Sequence, residues 1–144
     1  MLTLLEEVKI TKLNDATAAG VTTINSGVVD MQGFDGVVFL TSAGTIVAGA
    51  ATSLKVQEDS AVGMGTAQDL ASSGQTFLDT DDLKSVAVDI KRPNKRFLRL
   101  VILRATQNSD WSPIWALQYR SKKMPVTQGL DKSKLMNSPA EGTA

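Results

Sequence analysis

Short runs of alternating apolar and polar residues, separated by turn residues, dominate the chain. Val8-Lys9-Ile10-Thr11-Lys12 alternates with period two, the pattern of a half-buried strand. Asn14, Asp15 and Gly20 mark a loop, and Val21–Ile24 and Val28–Met31 read as short strands. Gly36–Thr41 is apolar on both faces, and Ser42-Ala43-Gly44 reads as a turn. Thr45–Val56 reads as one long strand or two, with Gly49 at a bulge or kink. Ser85–Ile90 sets Val86, Val88 and Ile90 on one face. After a turn at Lys91–Lys95 comes a strong strand, Arg96–Ala105. It is apolar on both faces, which predicts a central position covered on both sides, and Arg99 and Arg104 break the pattern, one on each face. Gln107–Asp110 reads as a loop and Ile114–Tyr119 as a last strand.

Two stretches depart from this rhythm. Glu58–Gly74 holds Gly63, Gly65 and Gly74 among small polar residues, and reads as a mobile excursion with one helical turn near Ala67–Leu70. From Met124 the chain carries Pro125, Gly129, Pro139 and Gly142, which leave no room for a long regular element. The pattern predicts an all-β fold: a jelly-roll-like β-sandwich of about eight strands over residues 1–123, with an extended N-terminal arm and an extended C-terminal tail over 124–144.

Composition narrows the chemistry. The 144 residues include no cysteine and no histidine, so thiol nucleophiles, disulfides and histidine-based catalysis or metal ligation are excluded. No catalytic residue, cofactor site or metal site is assigned, and an enzyme is not expected. Asp79, Asp81 and Asp82 lack the glycine and glutamate of a calcium loop, and Gly63-Met64-Gly65 lacks the rest of a phosphate-binding loop. The start, Met1-Leu2-Thr3-Leu4-Leu5-Glu6-Glu7, has no basic region of a signal peptide, and no run is long enough to span a membrane. The expectation is a soluble protein made in a cytoplasm and without membrane association.

Charge is balanced overall but not along the chain. Residues 1–83 hold three lysines against eleven acids, a net −8, whereas residues 84–134 hold twelve basic residues against three acids, a net +9. Either interleaved strands mix these charges, or one end docks on an oppositely charged partner, subunits meeting acidic to basic. With no net charge and few aromatic residues, no nucleic-acid partner is expected.

Scattered segments carry a resemblance: Val29–Val37, Ser85–Leu100, Gln118-Tyr119, Met124–Thr127 and the ending Ser138–Ala144. Together they resemble the capsid decoration, or cement, proteins of tailed bacteriophages. The Glu58–Gly74 stretch departs from that pattern. The resemblance implies a virion structural protein on the outer capsid surface. It would bridge neighbouring copies of the major capsid protein, stabilise the expanded shell, and form homo-oligomers, dimers or trimers. Alternatives are another virion component (head-fibre base, neck or tail protein) or a glycan-binding surface module. Residues expected to touch partners are Leu2, Leu4 and Leu5 in the N-terminal arm, Trp111 and Trp115, and Lys122, Lys123, Met124, Pro125, Leu130, Leu135 and Met136 towards the C-terminus.

Overall fold

The computed structural model describes residues 2–137, 141 and 142. The resemblance-bearing residues 138–140, 143 and 144 lie outside the described residues. A single helical turn, α1 (Leu4–Glu7), precedes twelve strand segments. These are β1 (Lys9–Asn14), β2 (Thr17–Gly20), β3 (Ile24–Asn25), β4 (Val29–Asp30), β5 (Gly36–Ile46), β6 (Ala51–Asp59), β7 (Gln68–Asp69), β8 (Gln75–Phe77), β9 (Ser85–Lys91), β10 (Phe97–Ala105), β11 (Ser109–Trp111) and β12 (Ile114–Tyr119).

Four pairs of segments are single strands interrupted once. β3 and β4 lie end to end along β10, β7 and β8 along β6, and β11 and β12 along β5, while β1 and β2 follow β12 and β11 in turn. Counted so, eight strands form two four-stranded antiparallel sheets. The first runs β1/β2, β12/β11, β5, β9; the second runs β3/β4, β10, β6, β7/β8. In chain order the first strand pairs the eighth, the second the seventh, the third the sixth and the fourth the fifth. That nesting is a jelly roll: one long antiparallel ribbon folded over into two sheets.

Alternation builds the core. Val37, Phe39 and Thr41 of β5, Leu54 and Val56 of β6, Leu98, Leu100 and Ile102 of β10, and Ile114 and Ala116 of β12 all point inward and are buried. Trp111 is 2% exposed and meets Phe77 edge-on, with ring centroids 5.1 Å apart.

Several local expectations are corrected. Ser42–Gly44 is not a turn but the middle of β5, where the side chain of Asp110 lies across the bare Cα of Gly44 and accepts a hydrogen bond from the Thr45 amide at 2.7 Å. Gly49 is not a kink within a strand; it turns the chain from one sheet to the other with φ of 82°. The Asn14–Gly20 loop contains β2, and the Gln107–Asp110 loop contains the start of β11. The Glu58–Gly74 stretch has no helical turn. It begins as the end of β6 and returns as β7, and buried Asp59 ties it by accepting from the Thr66 amide at 2.8 Å and the Ala61 amide at 3.1 Å. Burial opposes ionisation of Asp59, but the donated hydrogen bonds prevail and hold its carboxyl below the usual range. β10 is central in its sheet, yet among the described residues no helix or strand is assigned over its outer face, where Val101 is nevertheless buried. Arg99 bonds to Gln57 at 2.9 Å and Arg96 lies 5.0 Å over the Phe97 ring, so long polar side chains shield that face with their stems.

Two polar side chains enter the interior and cross between the sheets. Gln118 of β12 donates to the Asp30 carbonyl of β4 at 2.7 Å. Arg104 of β10, 5% exposed, donates to the carbonyls of Thr22 (2.7 Å), Ala18 (2.8 Å) and Ser109 (2.7 Å). Replacing Arg104 by Met strips these acceptors of their donor and should lower the unfolding free energy by about 2–4 kcal/mol. Urea titration should show a lower midpoint with the slope unchanged, and Arg104→Lys should recover only part of the loss. An unshifted midpoint for the Met variant would remove the clip from this account.

Candidate functional site

Long strands separate the molecule into two poles. One pole holds the β4–β5 turn, the β9–β10 turn and the chain leaving β12; the other holds the β5–β6 turn, the β10–β11 loop and the acidic turn before β9. The eleven residues of β5 set them roughly 30 Å apart.

The first pole is basic and grooved. A cleft of about 470 Å³ lies between Gln32–Asp35 on one side and Arg92–Arg96 on the other, with Lys122 at its edge. A second cleft of about 290 Å³ shares Gln32, Gly33, Phe34 and Lys122 and continues past Lys9, Lys123, Pro125 and Val126. Backbone bonds hold the walls: the Arg92 amide donates to the Asp35 carbonyl at 2.7 Å and the Lys122 amide to the Gly33 carbonyl at 2.9 Å. Gly33 takes a φ of 86° that other residues adopt at a cost. Arg96 grips Asp30 through two bonds of 2.8 and 2.7 Å. That fork lowers the Asp30 pKa and raises that of Arg96. Arg120 approaches Asp35 at 3.8 Å. Among the described residues, Arg92, Lys95, Lys122, Lys123 and Lys9 make no ion pair, so the groove keeps a surplus of positive charge.

The opposite pole is acidic. Asp79–Asp81 form one 3-10 turn, with Asp82 accepting from the Ile46 amide at 2.6 Å. Asp81 accepts from the Leu78 amide and pairs with Lys84 at 2.7 Å. These carboxylates cap backbone amides in different directions, and among the described residues no three acidic side chains converge as metal ligands would. Interleaved strands therefore mix much of the charge asymmetry of the sequence, bringing Glu6, Asp30, Asp35, Glu58 and Asp59 of the acidic half to the basic end, while the acidic turn and the basic groove stand apart as local clusters.

A third feature is the outer face of the first sheet. Ile10, Leu117 and Val38 are cross-strand neighbours in one row, and Trp115, Leu40 and Ala87 in the next. Leu40 is 40% exposed, and Trp115 helps line a shallow depression with Pro113 and Ser112. Ile10, Leu117, Val38 and Trp115 are half-buried and Ala87 is exposed, and among the described residues no helix or strand is assigned over these rows.

The residues singled out from the sequence are dispersed. Leu2 and Leu4 are exposed and Leu5 is half-buried at α1. Trp111 belongs to the core, where it cannot reach a partner, whereas Trp115 sits half-buried on the outer face. Lys122, Lys123 and Pro125 line the groove, and Met124 is exposed beside it. Leu130 is half-buried and Leu135 and Met136 are exposed. The first part of the tail is not loose. The Gln128 side chain donates to the carbonyls of Leu5 (2.7 Å) and Val8 (2.6 Å) and accepts from the Ile10 amide (2.9 Å), and Gly129 bridges Thr11 on β1. Sequence reasoning overlooked Gly33, Phe34 and Asp35, because nothing in a five-residue turn says which other turn it will face. The run Lys91–Arg96 was the available signal.

Tyr119 closes the basic end of the first sheet. Its ring covers Gly36, where any Cβ would collide with it, and its hydroxyl donates to Asp89 at 2.6 Å, so one side chain spans β12, β5 and β9. Burial first, and then the bond to Asp89, push its pKa up to about 12. It is the single tyrosine of the chain, so ultraviolet absorbance titrates it alone. Because the folded value exceeds the unfolded one, its contribution to stability is complete below about pH 10 and is lost as pH rises towards 12. Asp89→Asn should move the titration to lower pH; a midpoint unmoved by that change would dismiss the Asp89 contact.

No protein-family model matches the chain, and no curated protein matches it. Among solved structures, it is similar to the crystal structure of the PBSX exported protein XepA, with a TM-score of 0.56 and 12% sequence identity. The match covers 95% of this chain and 45% of that one, so the chain spans less than half the length of XepA. At this identity the likeness shows a shared fold.

Proposed function

We propose that the chain is a phage virion structural protein, specifically a decoration protein that lies on the outer surface of the head and bridges neighbouring major capsid subunits. The observation that carries this reading is the pair of partly exposed apolar rows on the first sheet, Ile10–Leu117–Val38 ending at Asp89 and Trp115–Leu40–Ala87 beginning at Lys12, presented by a jelly roll. Apolar rows left uncovered on a sheet suit docking on another protein surface. The fold likeness to a phage exported protein supports the phage setting. The proposed mechanism is mechanical. Each copy touches two or more shell subunits, each contact is modest, and multivalency makes the lattice resistant to rupture. Binding only the expanded lattice would stabilise that state by mass action.

Mixing the purified protein with emptied, expanded heads and imaging them tests the reading. The expected result is density at regular positions on the outer face. Leu40→Asp, which leaves the core untouched, should reduce occupancy about tenfold or more. Heads that remain bare, or density only at the neck or tail, would overturn it.

A further inference from the structure

The acidic turn and the basic groove are complementary in more than charge. The acidic turn of Asp79–Asp82 is flanked by Leu78, 58% exposed, and Leu83, 78% exposed, so two large apolar side chains project beside the carboxylates. The basic groove at the other pole has half-buried apolar walls, Phe34 and Pro93, beneath the cations of Arg92 and Lys122. Both elements are fixed before any encounter. Leu83 is held at φ of 60° by its amide bond to the Gly44 carbonyl (3.1 Å), and Asp82 is locked on the Ile46 amide. The groove is fastened by the Arg92–Asp35 backbone bond and the Arg96–Asp30 fork. Prefixed surfaces lose little conformational entropy on docking. The poles lie about 30 Å apart, so one molecule cannot join its own turn to its own groove.

We propose that the acidic turn of one copy docks in the basic groove of the next, with Asp79 facing Arg92 and Lys122 and with Leu83 against Phe34 and Pro93. The occupant is a second copy of this chain. Such a contact joins two different surfaces and is therefore heterologous. It closes into a ring of three or more copies or extends as a filament, and it does not produce a two-fold dimer. The inference stands apart from the virion reading, because it concerns only the chain in solution.

Sedimentation velocity on the full chain tests it. Average mass should rise with concentration at low salt and fall when salt is raised, as screening weakens the charged contact. Two variants isolate the poles: Asp79→Lys with Leu83→Glu, and Arg92→Glu with Lys122→Glu. All four side chains are exposed, so both variants should keep the parent's thermal unfolding midpoint. Each alone should associate at least about tenfold more weakly than the parent. Mixed one to one they should form dimers that grow no further, because each dimer retains one intact junction. A parent chain monomeric at every concentration, a mixture that stays monomeric, or association unaffected by both variants would overturn the proposal. A monomeric chain that still coats heads would overturn the self-contact while leaving the virion reading in place.

Discussion

A sandwich of two sheets has an apolar interior and two open ends, and the ends are where the sheets would slide or part. Here a polar clip crosses near each end. Gln118 reaches from the first sheet to the Asp30 carbonyl of the second, and Arg104 reaches from the second to Ala18 and Ser109 of the first. Arg104 is the more demanding. Its guanidinium is buried with neutral oxygens around it and no carboxylate within ion-pair distance among the described residues, and burial lowers its pKa. A guanidinium nevertheless remains charged, and its planar fork lets it satisfy several carbonyls at once. Because an unmet buried donor is costly, only the register that delivers all these carbonyls is tolerated. The clip therefore fixes how the two sheets are aligned, and with them the two poles.

The interrupted strands follow from the same need to satisfy buried backbone groups. Where β3 gives way to β4, Ser26 stays on the ladder, its hydroxyl accepting from the Leu100 amide at 2.8 Å. Where β7 gives way to β8, the Ser73 hydroxyl accepts from the Val56 amide at 3.0 Å. At the break between β11 and β12, Ser112 bonds to Ser42 through both backbone and hydroxyl. Small hydroxyl side chains thus replace missing strand partners, and the central strands β5, β6 and β10 lose little pairing. The break at Ser112-Pro113 also lets Trp111 and Ile114 both face the core despite the irregular spacing between them.

This economy explains what the sequence disclosed and what it concealed. Strands with strict alternation were legible, as at Ser85–Ile90, where Val86 and Val88 are buried between exposed Ser85, Ala87 and Asp89, because one buried face imposes period two. Their number, near eight, was legible for the same reason. The small and polar residues of Ser42–Gly44 looked like a turn, but inside a paired strand Gly44 accommodates the side chain of Asp110, a neighbour sixty-six residues away. Trp111 looked like an anchor for a partner because its burial depends on Phe77, which no local pattern connects to it. The groove was half legible. The basic run was visible, but its opposite wall, Gln32–Asp35, came from a distant turn that only the nesting of the ribbon brings alongside.

That nesting also accounts for the two poles. A jelly roll places alternate turns at opposite ends, so a chain can concentrate basic residues in turns of one parity and acids in turns of the other while its total charge stays zero. Here Lys91–Arg96 and Arg120–Lys123 fall at one end and Asp79–Asp82 at the other, so a basic cluster and an acidic cluster stand apart even though Glu6, Asp30, Asp35, Glu58 and Asp59 share the first end. Two clusters so far apart gain little from each other in salt, where charges more than about 8–10 Å apart are screened. Its value appears only on contact, when a preformed turn enters a preformed groove and apolar side chains exclude the water between them. The outer face of the first sheet lies between the poles and stays free in such an array. Copies joined pole to pole would then present their apolar rows side by side, turning one modest docking surface into a repeated one whose strength depends on how many copies engage at once.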